Sequence, residues 1–202
     1  MTTTGTALKT TASGSTKKVP LNLVEDAIGS INPASGLSVD IKRSGAGLYR
    51  LDFTLTAVSI TVTDAAGSGS SGSLKIFDFA PGSIIALACR QDYTAFAEGS
   101  ALTGGAGDAS FVMGLGSVAA NAGDAALTGT EVDFGAVTSA ITLSSGTGTG
   151  TKHSATAAAL DGTTTPVDLY LNWSGSAATI DANSTISVTG TISVLVAVLG
   201  DD

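Results

Sequence analysis

Residues 51–64 read LDFTLTAVSITVTD, and their rhythm decides the fold class. Leu51, Phe53 and Leu55 alternate with Asp52, Thr54 and Thr56. After Ala57 the phase inverts, and Val58, Ile60 and Val62 alternate with Ser59, Thr61 and Thr63. Alternate side chains of a strand point to opposite faces, so period two means one buried face and one solvated face. A phase change would turn the apolar set outward unless the backbone absorbs one residue. The stretch therefore predicts either a β-bulge at Ala57–Val58 or a strand that bends from one sheet into another.

The same rhythm recurs on both sides. Leu37, Val39 and Ile41 alternate with Ser38 and Asp40. Residues 74–79 (LKIFDF) form a further strand closed by Pro81-Gly82, and Ile84–Ala88 reads as a buried strand. Phe111-Val112-Met113 is short and apolar, and Val137, Ser139, Ile141 and Leu143 share a parity. Val167, Leu169, Leu171 and Trp173 face one way, opposite Asp168 and Asn172. Ile186, Val188, Ile192, Val194, Val196 and Val198 hold one parity, with Gly190 in register as the expected kink. From Leu195 both faces turn apolar, which predicts cover on both sides. Asn32–Gly36 and Asp161-Gly162 are turn signals, and Asp64–Gly72, Ala95–Gly107 and Ser144–Thr151 read as loops or linkers. Leu21–Ile31 is consistent with a short helix or with a strand and turn.

Eight to eleven short strands follow, with no sustained period of 3.6 and no fixed repeat. The expected fold is all-β: an antiparallel β-sandwich, jelly-roll-like or barrel-like, with an extended N-terminal arm. Residues 1–24 are expected to be a flexible arm and residues 25–202 the β domain.

Composition narrows the function. Of the 202 residues only 13% are charged, about half the roughly 25% of an ordinary soluble chain. The 26 glycines and the many Ala, Ser and Thr take their place. Net charge is −8; residues 1–24 carry +3 from Lys9, Lys17 and Lys18, so the remainder carries −11 (−8 minus +3). An acidic body argues against nucleic acid, whose phosphates demand a basic face. Cys89 stands alone, which rules out an intrachain disulfide and predicts a buried, inert thiol. The longest apolar run, Val194–Leu199, is far short of a membrane span, and Met1–Thr6 does not start an export signal. A Thr/Ser/Gly/Ala-rich, lysine-poor chain without such a signal fits a virion protein, assembled in a cytoplasm and released by lysis.

The sequence offers little to a catalyst. His153 is the one histidine and sits beside Ser154 in a Gly/Thr/Ala stretch, without the orienting partners a triad needs. One Cys and one His cannot build a Cys/His metal cluster. Gly114-Leu-Gly116-Ser-Val-Ala119 loosely fits a dinucleotide fingerprint, but Asn121 and Gly123 interrupt the helix that chemistry requires. Gly104–Asp108 resembles one calcium-binding repeat, and such sites need stacked copies. Asn172-Trp173-Ser174 and Asn183-Ser184-Thr185 are formal glycosylation acceptors. Glu131/Asp133 and Asp201/Asp202 are paired acids of the kind that flank a sugar, though scattered surface carboxylates are commoner. Trp173 shares its parity with core residues, which favours packing over sugar stacking. No catalytic, cofactor-binding or metal residue is expected, and the chain reads as non-enzymatic.

Residues 51–64 (LDFTLTAVSITVTD), the glycine-rich loop after them and residues 72–84 (GSLKIFDFAPGSI) together resemble the capsid decoration, or cement, proteins of tailed double-stranded DNA bacteriophages. Residues 167–172 (VDLYLN) and 181–200 (DANSTISVTGTISVLVAVLG) fit the same pattern. The resemblance implies a homotrimer on the outer capsid surface that clamps neighbouring subunits of the major capsid protein, with neither nucleic acid nor membrane as a partner. It also leads to the expectation that residues 1–24 reach onto a neighbouring subunit. The alternative is a carbohydrate-binding or adhesin-type β-sandwich module, such as one from a phage tail, which would need exposed aromatic side chains. A polysaccharide lyase or hydrolase fragment is disfavoured by the lack of an acid/base pair.

Overall fold

The computed structural model describes residues 28–43, 47–65, 69–98, 110–122, 124–135, 138, 141–142, 148–150, 158–175 and 183–200. Eleven strands lie within them: β1 (Gly29–Ile31), β2 (Leu37–Arg43), β3 (Leu48–Ala65), β4 (Gly69–Phe79), β5 (Gly82–Glu98), β6 (Ser110–Gly116), β7 (Ile141–Thr142), β8 (Gly148–Gly150), β9 (Ala158–Gly162), β10 (Asp168–Gly175) and β11 (Ser184–Gly200). They form one sheet in the order β7-β6-β10-β4-β3-β11-β5-β8, with β1 added to β4, β2 to β3 and β9 to β5. Every pairing is antiparallel. The chain is all-β, and its barrel-like form is that of a single curled sheet. The expected N-terminal arm, residues 1–24, lies outside the described residues.

The phase change at Ala57 is a bulge. Val58 pairs with Val188 and Leu55 with Gly190, so Thr56 and Ala57 together oppose Thr189. Ala57 takes the left-handed conformation, φ 53°, and its N–H donates to Thr189 Oγ1 at 3.0 Å. The Thr56 N–H donates to the Gly36 carbonyl at 2.8 Å. Gly36, at φ +82°, sits so close that a Cβ would lie 2.0 Å from the Thr56 carbonyl oxygen. The bulge is also a fork, because below it β3 pairs with β2 and above it with β4. The bulge is the alternative realised: the extra residue re-aims β3, which stays within the one sheet and changes its partner from β2 to β4.

Gly190 marks the kink of β11. The register of β11 shifts there against both β3 and β5, and a Cβ at Gly190 would lie 2.4 Å from the Asp92 carbonyl oxygen. Further bulges interrupt β5, where the buried side chains run Ile84 and Ala86, then Cys89, Gln91 and Tyr93, then Phe96. These shifts hid the end of β5 from a period-two reading. Residues 95–98, expected in a loop, belong to this strand, and 99–107 lie outside the described residues.

Two other loop expectations are corrected. β3 continues to Ala65 and β4 begins at Gly69, so the connection between them is three residues rather than the whole of Asp64–Gly72. Ser70 and Ser71 are small because they are buried, not because they form a loop. Within the expected 144–151 linker, Gly148–Gly150 pairs with Gln91–Tyr93 as β8. That pairing uses backbone alone, so no side-chain rhythm announces it. Gly114 and Gly116 lie on strand β6, not at a helix start. The turn signal at Asp161-Gly162 is real: Asp161 Oδ1 accepts the Thr163 N–H (3.0 Å) and hydroxyl (2.7 Å).

The core lies inside the curl. One ring chain joins Phe53, Phe77, Phe79 and Phe134, ending in a stacked pair with centroids 5.6 Å apart. The other joins Tyr93, Phe96, Phe111 and Trp173. Phe96 of β5 meets Phe111 of β6 at 4.9 Å, although β10, β4, β3 and β11 separate these strands in the sheet. Only a curled sheet brings such faces together.

Candidate functional site

The outer face of β2, β3, β11 and β5 is a grid fixed by strand register. One row across β3, β11 and β5 is Leu48, Ala197, Ile85; the next is Arg50, Leu195, Ala88; the next Asp52, Ser193, Arg90; the last Thr54, Thr191, Asp92. On β2, Asp40 stands beside Asp52 and Lys42 beside Arg50. Outward parity places these residues on the surface, while Leu51, Phe53, Ile192 and Val194 point inward and are buried.

Asp52 is the hub. Its carboxylate accepts from Lys42 Nζ at 2.8 Å, Arg50 Nε at 2.7 Å and Ser193 Oγ at 2.6 Å. Lys42 also pairs with Asp40 at 2.9 Å, and Arg90 with Asp92 at 3.0 Å. Burial pushes the Asp52 carboxyl up, but the bonds from Lys42, Ser193 and Arg50 outweigh it and hold it below the ordinary value. Lys42 is raised in turn, first by its bond to Asp52 and then by Asp40. Two shallow depressions, about 280 and 260 Å³, lie side by side between Arg50 and Arg90. Neither has the depth of a small-molecule pocket.

Below this charged band the face is apolar. Leu48, Ile85, Ala88, Leu195 and Ala197 are half-buried, and Leu199 is 60% exposed. The cover expected over both sides of this end is present only on the inner side among the described residues. Arg43 has the opposite parity: it shares the inward side of β2 with Ile41 and lies over the buried Tyr49, its guanidinium 5.8 Å from the ring centre. Of the chain's three arginines, Arg50 and Arg90 therefore stand together on this outer face. A sequence signal for this face exists and was missed: Asp40-x-Lys42, Arg50-x-Asp52 and Arg90-x-Asp92 are three opposite-charge pairs at the spacing that puts both members on one strand face.

A second polar assembly closes the opposite side of the sheet. The described residues of 117–133 leave β6 and fold back over the outer face of β6, β10 and β4, after which Phe134 and Gly135 pair with Leu115 along the edge of β6. Asn172 of β10 holds them: its Nδ2 donates to the Val118 and Glu131 carbonyls at 2.9 and 2.8 Å. Its Oδ1 accepts from Ser73 Oγ at 2.7 Å and the Ala120 N–H at 3.2 Å. Glu131, buried, accepts the Asn121 and Thr128 N–H groups at 3.0 and 2.9 Å. Asp133 accepts the Ser117 N–H at 2.7 Å and hydroxyl at 2.6 Å; burial still raises its pKa above the ordinary value.

The sequence candidates fall as follows. Glu131 and Asp133 are spent on the covering segment and do not flank a cleft. Trp173 is fully buried against Phe111. Asn172 is fully buried too, so it cannot accept a glycan, whereas Asn183 is exposed and its Oδ1 accepts the Asp64 N–H. Cys89 is buried, and burial pushes its thiol up to about 12. Among the described residues no three His, Cys, Asp or Glu side chains are placed to hold a metal. His153, Gly104–Asp108, Asp201 and Asp202, and the Lys9, Lys17 and Lys18 cluster lie outside the described residues.

The class that fold and surface define is an all-β protein of one curled antiparallel sheet, with an outer face that bears arginines. Compared with known protein families, curated proteins and solved structures, the chain matches none.

Proposed function

We propose that this chain is a non-enzymatic virion structural protein that decorates the outer surface of an icosahedral phage capsid. As a trimer it clamps neighbouring subunits of the major capsid protein, and it binds neither nucleic acid nor membrane. The observation that carries this reading is the outer face of β2-β3-β11-β5. A charged band carrying Arg50 and Arg90 borders a half-buried apolar strip, on a surface whose depressions are shallow. Arginine and apolar area together are the composition of protein interfaces. Each guanidinium carries five N–H donors in a planar fork that suits a partner's carboxylates. A lattice presents its docking site many times, so modest contacts accumulate through avidity.

The glycan-binding alternative needs exposed rings. Of the ten aromatic residues (six Phe, three Tyr and one Trp), nine are buried, and the tenth, Tyr170, is half-buried and donates to Asp168 at 3.1 Å. The arrangement favours the structural reading.

Co-sedimentation with expanded capsids of the phage that encodes the chain tests the proposal, with light scattering to give the oligomer. Saturable pelleting of a trimer at a fixed ratio to capsid subunits is the expected result. A monomer that stays in the supernatant at every concentration overturns the reading.

A further inference from the structure

A further groove lies between β1 and β2. It measures about 380 Å³ and is lined by Gly29, Ser30, Ile31, Leu37, Ser38, Val39 and Ile41. The fork at Ala57 creates it: β2 follows the lower half of β3 while β1 follows β4, and the two strands splay from the Asn32–Gly36 turn. Among the described residues β1 pairs only with β4 and β2 only with β3. Each strand therefore turns a backbone edge to the groove that no described residue pairs. Open edges next to apolar side chains template pairing with another strand, and folded proteins cover them.

We infer that residues 19–23 of the chain's own N-terminal segment seat in this groove as an added strand, antiparallel to β1. Three observations support that occupant. The first is pattern: residues 19–23 read VPLNL, so Val19, Leu21 and Leu23 share one face. That face meets Ile31, Leu37 and Val39, which are only partly buried against the core. Pro20 lacks an N–H, which an edge position tolerates. The second is length. Ile28 is anchored, buried, with its carbonyl accepting the Ala80 N–H at 2.8 Å. Residues 24–28 then form a five-residue connection, within the usual range for a β-hairpin, which sets Leu23 opposite Gly29 and Leu21 opposite Ile31, on one face. The third is proximity: Gly29, at the root of the segment, lines the groove, and a short tether gives an effective concentration on the order of millimolar. A second copy at micromolar concentration competes poorly against that. The inference concerns how the chain completes its own sheet, and it stands or falls separately from the capsid reading.

Paired cysteines in the full-length chain test it, because disulfide geometry demands the closeness of neighbouring strands. Val39→Cys is combined in turn with Leu21→Cys, Leu23→Cys and, as the opposite-face control, Asn22→Cys. An intrachain bond in the monomer for Leu21 or Leu23, and none for Asn22, is the expected result. A disulfide-linked dimer places a second copy in the groove and overturns the own-chain assignment. Absence of any bond, or equal bonding at all three positions, overturns the added strand itself. Hydrogen exchange supplies a second reading: removal of residues 1–24 speeds exchange of the Leu37–Arg43 amides about tenfold or more. Unchanged exchange there contradicts the inference.

Discussion

Asn172 shows how one side chain can hold a segment that has no regular structure. It is fully buried and uses both donors and its carbonyl on residues 73, 118, 120 and 131. Asn172→Leu leaves those partners buried without a bond, at a cost of about 2–3 kcal/mol. Urea unfolding will register it as a lower midpoint at an unchanged slope. Asp52 makes a pH-dependent contribution. Its folded value lies below the ordinary 3.8, so its stabilisation is complete above that value and is lost as pH falls through the lower, folded one. Asp133 acts with opposite sign, since burial raises it and protonation relieves the penalty. Asp52→Asn therefore lowers stability by about 1 kcal/mol at neutral pH and flattens the loss seen on acidification below pH 3.8. Thermal midpoints across the acid range measure both effects. An acid limb as steep as that of the parent refutes the assignment of Asp52 as the hub.

At the scale of elements, the covering segment depends on two strand positions without side chains. A Cβ at Gly114 would lie 2.6 Å from Val132 Cγ1, and one at Gly116 2.2 Å from the backbone of Glu131. Backbone cannot swing aside as a side-chain tip can. Gly116→Ala is expected to lift residues 117–135 off β6 and to destabilise the fold by about 1–3 kcal/mol. Limited proteolysis will show new cleavage between 117 and 131 while β3 and β11 stay protected. These glycines also show where sequence reading stopped. The long strands β3, β10 and β11 were legible because each buries a continuous apolar face. The bulge at Ala57 was legible because it inverts a phase inside a strong pattern. β8 and the start of β4 were not, because glycine and serine pair by backbone and leave no rhythm. The end of β5 was lost to a second inversion at Thr94, with too few apolar residues beyond it to re-establish the period.

For the whole molecule, chain order and sheet order differ widely. β11 closes between β3 and β5, pairing Leu51 with Val194, so the sheet is complete only when the last strand is in place. The grid on its outer face inherits that dependence. Arg50 comes from β3, Ser193 from β11 and Arg90 from β5, and no local stretch of sequence contains them all. The three charge pairs at spacing two were visible in the sequence; their alignment into one face was not, because it depends on long-range register. What this face touches is the central claim. Under the proposed capsid role, an electron cryomicroscopy reconstruction of capsids bearing the bound protein tests it most directly. The account predicts trimers whose β2-β3-β11-β5 face, with Arg50, Arg90 and Leu195, lies against capsid or sister subunits. A reconstruction in which that face points wholly into solvent would contradict it.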